Sequence, residues 1–512
     1  GRSGVGDPGY RVTCFNAANL APRIFNFRFM NALSFPRKTS SRRGLLRARA
    51  TLSVLGALLI FGLAAGCAHA PVNQPLTVRD QDRGYRFSTT PPKAPNTDEV
   101  FIILALSGGG TRAAAFSYGA MEKLAATTFT HDGVKRSLLD EVDVISSVSG
   151  GSFTAAYYGL HRDPAAFAQF PERFLYPKIR TGLALSLLNP INWPRLASPY
   201  YSRIDMAADY YDRHVFDHQT FGDLAAIGQR PFIVLNATDM SLSSRFEFTQ
   251  DQFDFISSDL SSYPVARGVA ASSAFPLLLS PLTLRNYPGA TETAWMRSAL
   301  KDRARNPRDY AYAQAMASYL DAGQRPFIHL LDGGLSDNVG LRGPAYALFS
   351  SKNLWSHDAS TGRPSSLTQL LNTRKIRYLV VITVNAKTVG QPEYDRRERA
   401  PGWMSVLSTV TTGPMGNYSD ETVQYVRDQL EAMRQLRDDP DAADEIKFYP
   451  MELTFQDVAS PAERAYLNGI ATDFQIPREA VDRLRAAAGQ LLEEAPAFHR
   501  LLQDLAATPD AR

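Results

Sequence analysis

Residues 143–159 read Asp143-Val-Ile-Ser-Ser-Val-Ser-Gly-Gly-Ser-Phe-Thr-Ala-Ala-Tyr-Tyr-Gly159, and the predicted architecture follows from this segment. Apolar β-branched residues run into small ones, and a helix-compatible run begins at Phe153. A strand that turns into a helix without loop residues holds its middle residue, here Ser149, in a strained turn with the side chain exposed above the sheet. The N–H groups that start the helix favour negative charge there. The segment predicts a nucleophilic Ser149; a Ser/Gly turn without chemistry is the alternative that it leaves open by itself.

A second glycine-rich turn lies upstream, between a predicted buried strand and a helix. The apolar run Val100–Leu106 predicts a strand covered on both faces, and Ser107-Gly108-Gly109-Gly110-Thr111-Arg112 follows it. A helical pattern then begins at Ala113. Glycines let backbone N–H groups approach an anion closely, so the loop predicts a cradle for a negative centre.

Nucleotide binding is the alternative for the same glycines. Gly108, Gly110 and Ala113 fit the looser GxGxxG/A spacing. Such a site also needs an acidic residue about 20 positions later, at the end of a second strand. Asp132 has the right distance but precedes Gly133 with no apolar strand before it, and there is no Gly-Lys-Ser/Thr. The pattern therefore favours a cradle of another kind.

Arg112 is unusual in the first turn of a helix, where the dipole disfavours cations. We expect it to pair with a carboxylate or to hold the glycine loop. Contact with a substrate phosphate is the second possibility.

The rest of the chain alternates between strand-like and helix-like segments. Strands are expected at 231–237, 245–249, 326–331, 378–385 and 446–455, helices at 265–275 and 484–505, and a loop with a surface helix at 285–325. Segment 164–222 is rich in aromatic residues and has a helical pattern. The alternation predicts an α/β sandwich with a mainly parallel central sheet flanked by helices, and 164–222 as a helical insertion over the sheet.

The third candidate functional residue is Asp332, which ends the predicted strand 326–331 and precedes Gly333. Acyl transfer needs an activated hydroxyl, a group that takes its proton and N–H donors for the oxyanion. Ser149, Asp332 and the glycine loop 108–110 are three such parts, each at the end of a predicted strand. We expect strand ends to gather at one site.

From about residue 100 to 345 the chain resembles the patatin-like phospholipase family. Three motifs carry the resemblance, in this order: Gly-Gly-Gly-x-Arg, the serine turn followed by glycine, and Asp-Gly-Gly. The similarity at 271–276 is weaker. The resemblance implies an α/β sandwich and a Ser–Asp dyad that hydrolyses acyl esters, often of phospholipids. It implies Ser149 as nucleophile, Asp332 as general base and an oxyanion hole at Gly108, Gly109 and Gly110. Arg112, Gly151 and Gly333 would support the site. One departure is Ser147, which stands where the family has glycine and lacks the conformational freedom of glycine.

Other residues compete for these roles. Ser147 is two residues earlier and still within the strand. Asp337 and Asn338 precede a helical run and are expected to cap it. His329 falls on the opposite strand face from Asp332 and is expected to be a core histidine. His214 and His218 have i, i+4 spacing, but no third metal ligand is near in sequence.

The composition limits the classes of function. The chain has 512 residues, 44% of them apolar, with a formal charge of +4. This small charge does not indicate nucleic acid. Cys14 and Cys67 are the two cysteines, so neither a disulfide framework nor a cysteine-based metal site is expected. We expect no metal and no other cofactor.

The domain plan has five parts. Residues 1–29 are left unassigned, 30–67 resemble a signal peptide, 68–97 form a proline-rich linker, 98–460 the hydrolase domain and 461–512 a C-terminal helical region. The signal-like segment ends in Leu63-Ala64-Ala65-Gly66-Cys67, which resembles a bacterial lipoprotein signal; an uncleaved anchor is the alternative. A membrane-anchored location in a bacterial cell envelope is therefore expected.

The favoured function is a membrane-anchored serine acyl hydrolase acting on phospholipid or another acyl ester. Two alternatives are a non-catalytic envelope lipoprotein that binds lipid or a protein partner, and an esterase or thioesterase for soluble substrates. The insertion 164–222 is expected to cap the Ser149 cleft and to form its acyl-binding wall, because it combines an uncharged leucine run with tyrosines and Trp193. Burial of the same residues as ordinary core is the alternative.

If Cys67 carries the lipid, a Cys67→Ser variant should lose lipid labelling and partition out of the detergent phase. Its Ser149-dependent activity should survive in the soluble fraction. Metabolic labelling with a fatty acid and detergent partitioning measure the change, and unchanged membrane retention would favour an uncleaved anchor at 50–66.

Overall fold

The computed structural model describes residues 72–92, 96–131, 133–276, 278–350, 376–389, 393–437 and 446–507. These residues all belong to one compact unit, Ile60–Arg512. The expectations for residues 1–67, including Cys67, lie outside the described residues. The described strands are β1 Gln74–Pro75, β2 Val100–Leu106, β3 Thr128–His131, β4 Val134–Ser137, β5 Val142–Val148, β6 Phe232–Asp239, β7 Ser244–Glu247, β8 Ser258–Asp259, β9 Leu282–Arg285, β10 Phe327–Asp332, β11 Tyr378–Asn385 and β12 Lys447–Thr454.

Helices connect and cover the strands. They are α1 Gly110–Ala126, α2 Gly150–Leu160, α3 Pro164–Phe167, α4 Ile179–Leu188, α5 Trp193–Leu196, α6 Arg203–His214, α7 Phe221–Ile227, α8 Gln250–Phe253, α9 Val265–Ser272, α10 Ala294–Ala299, α11 Pro307–Ser318, α12 Gly334–Asp337, α13 Arg342–Phe349, α14 Trp403–Arg437, α15 Pro461–Asn468, α16 Arg478–Glu494 and α17 Pro496–Ala507.

The central sheet has eight strands, and hydrogen-bonded pairing links seven of them in the sequence β12-β11-β2-β5-β6-β10-β9. The eighth strand, β7, also pairs with β6. The strands from β12 to β6 run parallel. Every residue of β2, β5, β6 and β11 is buried, as expected for parallel strands covered on both faces. The predicted α/β sandwich with a mainly parallel sheet is confirmed.

Strands β5 and β10 meet end to end along the same side of β6. Asn236 of β6 pairs with Val148 of β5 on one side and with Glu247 of β7 on the other. The next residue, Ala237, pairs with Phe246 of β7 and with Asp332 of β10. Because β7 occupies one side of β6 at both of these residues, β5 and β10 share the other side, and their carboxyl ends face each other. This geometry brings residue 149 and residue 332 to one place.

The direction of β10 is a feature on which the sequence made no prediction. Strand β10 ends at Asp332 and runs antiparallel to β6 and to β9 within the mainly parallel sheet. Its carboxyl end reaches the site because it pairs with residues of β6 that extend past the end of β5. The alternating burial of β10 is compatible with either direction, so the sequence pattern could not distinguish them.

A buried carboxylate joins the beginnings of three central strands. Asp143 accepts the Ile102 N–H (2.9 Å), next to an irregularity in the pairing of β2 with β5, and forms an ion pair with Arg230 (2.6 Å) just before β6. Burial raises the pKa of Asp143 to about 6, although Arg230 opposes this rise. The carboxylate thus satisfies an amide hydrogen where the ladder is irregular.

The predicted linker 68–97 is folded where the structure describes it. Tyr85 and Phe87 are buried in the core, and Arg86 forms ion pairs with Asp251 and Asp254. The Tyr85 hydroxyl accepts the N–H of Ile233 in β6 (2.7 Å). The prolines predicted an extended segment, but its few aromatic residues are enough to bind it to the sheet.

The insertion 164–222 is helical, as predicted, and it divides into two kinds of surface. Phe170, Phe174 and Tyr211 are buried, and Phe174 stacks on Phe153 of α2 with ring centroids 4.1 Å apart. These residues are therefore buried as ordinary core, which was the alternative interpretation of the insertion. By contrast, α4 buries only Ile179, and the side chains from Leu185 to Trp193 are largely exposed.

The C-terminal region packs on the same sandwich. The predicted helix 484–505 is two helices, α16 and α17, separated at Ala495 before Pro496. Helix α16 lies so close to α1 that a Cβ at Gly119 would collide with the Arg485 backbone, and Arg485 forms an ion pair with Glu122 (2.8 Å). Helix α14, which contains Pro414, was not predicted.

Candidate active site

Ser149 occupies the strained turn between β5 and α2. Its φ is 48° and its ψ is −116°, a positive φ that residues other than glycine seldom adopt. Such a conformation costs about 1–3 kcal/mol and persists when the surroundings enforce it. A Cβ at Gly150 would collide with the Gly110 carbonyl oxygen, and one at Gly151 would lie 2.8 Å from Leu106 Cβ. Only glycines therefore fit where the serine turn meets the first glycine loop.

Asp332 is buried and lies beside Ser149. Its Oδ1 accepts the Gly334 N–H (2.8 Å), and its backbone N–H donates to the Ala274 carbonyl (3.0 Å). Burial raises the pKa of Asp332 to about 6, and hydrogen bonds from the Gly334 amide and the Ser149 hydroxyl offset part of that rise. The Asp332 carboxyl group is therefore a stronger base than that of an exposed aspartate, and the Ser149 hydroxyl interacts with it. Gly333 lies against the Asn236 carbonyl oxygen, where a side chain would not fit.

The three loop glycines have different surroundings. The Gly108 N–H donates to the Asn338 carbonyl (2.9 Å). Gly109 and Gly110 have φ values of 141° and 62°, and no acceptor among the described residues takes their N–H groups. The Gly150 N–H also has no acceptor within the described part of the chain. Two of the three predicted donors, together with Gly150, are thus available to an oxyanion beside Ser149.

Ser272 is a part of the site that sequence reasoning missed. Its hydroxyl accepts the Ser149 N–H (2.9 Å) and donates to the Asn236 carbonyl (2.6 Å), while its own carbonyl accepts the Gly333 N–H (3.1 Å). Ser272 is completely buried at the end of α9. One residue therefore bonds to the turn of Ser149 and to the turn after Asp332. The weak family similarity at 271–276 was the only signal that pointed to it.

The Arg112 side chain bonds to two backbone carbonyls that lie outside the glycine loop. Its guanidinium donates to the carbonyls of Ala386 (3.1 Å) and Ile470 (2.6 Å), and it has no ion pair within the described ranges. Burial lowers the pKa of Arg112 to about 10. The expected carboxylate partner is absent from the described residues, and the expected role of holding the loop stays a prediction, since both acceptors belong to other parts of the chain.

The competing residues near the site have other partners. The Ser147 hydroxyl is buried, donates to the Val234 carbonyl (3.1 Å) and contacts Ser152 Oγ (3.2 Å). Ser147 is not among the residues with positive φ, so its position does not require glycine. Asp337 and Asn338 were expected to cap the following helix, but Leu341 occupies the N-cap position of α13. Asp337 still accepts the N–H of Arg342, the first residue of that helix (2.7 Å), whereas Asn338 Oδ1 lies between Gly108 and Gly334 at the site.

The histidines lie away from this chemistry. His329 is on the opposite face of β10 from Asp332, as predicted, but it is exposed beside Thr283 and is not a core residue. The outer face of β10 is uncovered at that point. His214 contacts the Tyr210 carbonyl and His218 contacts Asp212. Within the described residues, no group of three or more His, Cys, Asp or Glu could hold a metal ion.

Part of the chain is similar to a known protein family. Residues 104–344 match the family model for patatin-like phospholipases. The fold is patatin-like. The match supports a hydrolase that acts on lipids, and the matched segment includes the serine turn, the glycine loop and Asp332. No curated protein is similar in sequence.

Two solved structures are similar to this chain at a low level. Human GIVD cytosolic phospholipase A2 has a TM-score of 0.38 and 14% identity, over 80% of this chain and 62% of that protein. VipD from Legionella pneumophila has a TM-score of 0.29 and 10% identity, over 84% of this chain and 72% of that protein. The chain therefore spans less than two thirds of the human enzyme.

Ser272→Ala should slow ester hydrolysis by about tenfold or more, because the Ser149 N–H and the Asn236 carbonyl both lose a buried partner. The loss should appear in kcat rather than in KM, and Ser272→Thr should restore part of it. The matched control is Ser273→Ala, since the neighbouring hydroxyl bonds only to carbonyls of its own helix. Steady-state kinetics and thermal melting separate the effects; equal rates for both variants would contradict a positioning role for Ser272.

Proposed function

We propose that this protein is a serine hydrolase that cleaves acyl esters of phospholipids or related lipids with a Ser149–Asp332 dyad. The observation that carries the proposal is the Ser149 hydroxyl, which is held in a strained turn and hydrogen-bonded to a buried carboxylate. Family membership of the matched segment supports a lipid as the substrate.

The reaction would proceed through an acyl-enzyme. Asp332 accepts the proton as Ser149 Oγ attacks the ester carbonyl, and the N–H groups of Gly109, Gly110 and Gly150 stabilise the oxyanion. The proton then passes to the departing alcohol. Water, deprotonated by the same carboxylate, releases the fatty acid. A carboxylate with a pKa of about 6 is a better base than an ordinary aspartate and is still ionised near pH 7.

The alternative functions lack a specific supporting observation. A non-catalytic lipid-binding protein has no need of a carboxylate bonded to a strained serine. An esterase for soluble substrates would use the same dyad, but it would not need the exposed apolar segments described below.

Ser149→Ala and Asp332→Asn should each remove nearly all ester hydrolysis with little change in melting temperature. The double variant should be little worse than either single variant, because the two residues act as a unit. In the wild type, kcat/KM should fall as the pH drops through about 6, since protonated Asp332 cannot accept the serine proton.

The matched control for the serine is Ser147→Ala, which removes a buried hydroxyl two residues away and should retain hydrolysis at some cost in stability. Turnover by Ser149→Ala at the wild-type rate, or activity that depends on Ser147 instead, would contradict the dyad.

We further propose that the catalytic face contacts a lipid surface. Residues 181–194 and 403–419 contain no charged side chain, and both segments expose large apolar residues, namely Leu185, Leu187, Leu188, Ile191, Trp193, Trp403, Val406 and Val410. Both segments join the site. Arg180 forms an ion pair with Asp473, whose carbonyl accepts the Thr111 N–H (2.9 Å), and Met415 lies against Gly334.

A lipid tether would act with these segments. Acylation of Cys67 in a bacterial envelope would hold the domain near the membrane, and the apolar segments would then orient the Ser149 cleft toward it. In the described residues, no helix has the length and apolar character needed to cross a bilayer.

Leu187→Ser with Leu188→Ser should lower the rate on long-chain vesicles relative to a short soluble ester. The melting temperature should stay within a few degrees, because the two side chains are 41% and 69% exposed. Val78→Ser is the matched control, since Val78 is also 69% exposed and lies in neither segment. Vesicle co-sedimentation and both assays test this; a parallel fall of stability and both activities would instead indicate core packing.

A further inference from the structure

A cavity of about 660 Å³ lies between the start of α11, helix α13 and the middle of α14. Two arginines line it: Arg308 from the first turn of α11 and Arg342 from the first turn of α13. The helix dipole disfavours a cation at both positions, so local structure does not account for either arginine.

Both guanidinium groups are held in place by tyrosines of α14. Arg342 lies over the Tyr418 ring, 3.6 Å from its centroid, and its Nε donates to Thr422 (3.2 Å). Arg308 lies over the Tyr425 ring at 4.1 Å. Stacking orders the two side chains and leaves the edges of the guanidinium groups as hydrogen-bond donors. Neither guanidinium group forms an ion pair with a carboxylate among the described residues, although the charge of Arg342 opposes the rise in the pKa of Asp337.

Carboxylates also line the cavity, and they differ in availability. Asp309 is buried, and its carboxylate accepts from the Asn306 side chain (2.7 Å) and from Ser350. Glu421 and Asp428 are exposed on α14. The cavity therefore combines two ordered cations with exposed negative groups, and Tyr346 and Phe349 add aromatic walls. This combination suits a ligand that carries both an anionic and a cationic group.

The cavity adjoins the catalytic region through Tyr418. The same ring lines a neighbouring cavity of about 550 Å³, together with Leu331, Pro276 and Met415. Leu331 is the residue before Asp332, and Met415 contacts Gly334. Asp337 connects the two regions through the backbone, because its carboxylate accepts the Arg342 N–H. The two cavities therefore share a wall at Tyr418, and the second of them borders the end of β10.

We propose that Arg308 and Arg342 bind the phosphate of a zwitterionic phospholipid headgroup, while Glu421 and Asp428 attract its ammonium end. The assignment rests on the proposed lipid hydrolase function and adds the substrate class. Arginine is suited to this role because its planar fork binds phosphate oxygens in pairs.

Direct binding tests the cavity independently of catalysis. The probes are glycerophosphocholine, which has no acyl ester to cleave, and inorganic phosphate, each titrated calorimetrically into the full chain. Glycerophosphocholine should bind more tightly than phosphate. Arg308→Gln and Arg342→Gln should each weaken its binding about tenfold, because each removes a charge-assisted contact. Arg303→Gln is the matched control, since Arg303 also lies over a tyrosine, Tyr310, but does not line the cavity.

Each outcome decides the assignment. Loss of glycerophosphocholine binding in the two variants but not in Arg303→Gln supports it, even if the protein proves to hydrolyse no ester. Tighter binding of inorganic phosphate would make the cavity a free-phosphate site and overturn the headgroup assignment. No binding of either probe, or binding unaffected by both variants, would also overturn it.

Discussion

The end-to-end meeting of β5 and β10 along β6 is the constraint on which the rest of this structure depends. Strand β6 serves as a common template, because Asn236 fixes the end of β5 and Ala237 fixes the end of β10. A slip of one residue in either pairing would turn every side chain of that strand to the opposite face. The separation of Ser149 from Asp332 is therefore set by sheet register and not by the loops around it.

The crowding at that junction explains its composition. Gly150 contacts the Gly110 carbonyl, Gly333 contacts the Asn236 carbonyl, and Ser272 fills the remaining space with a hydroxyl that is bonded on both sides. A buried network of polar groups is stable only if each donor and acceptor in it has a hydrogen-bond partner. Burial at this junction raises the pKa of Asp332 to about 6, and the hydrogen bonds that its surroundings supply offset only part of that rise.

Much of this arrangement was predictable because it is local in sequence. The strands β2, β5, β6 and β11 are fully buried apolar runs, and the small residues around Ser149 indicate its turn. Asp332 was predictable as a strand end followed by glycines. The direction of β10 was not, because alternation is the same in both directions. Nor was Ser272, since its bond to Ser149 joins residues 123 positions apart. The exposed start of α14 gave too weak a pattern to be recognised as a helix.

The shared template also bears on how such a chain can diversify. Between the end of α2 and the start of β6 the backbone makes an excursion of roughly 70 residues, and it returns to the same register. Lengthening an excursion between fixed ends costs little conformational entropy, because the cost grows only with the logarithm of its length. Segments of this excursion can therefore be exchanged, shortened or grafted while Ser149 and Asp332 stay in place. A library of chimeras that replaces the exposed part of this excursion would vary the surface beside these two residues without moving them.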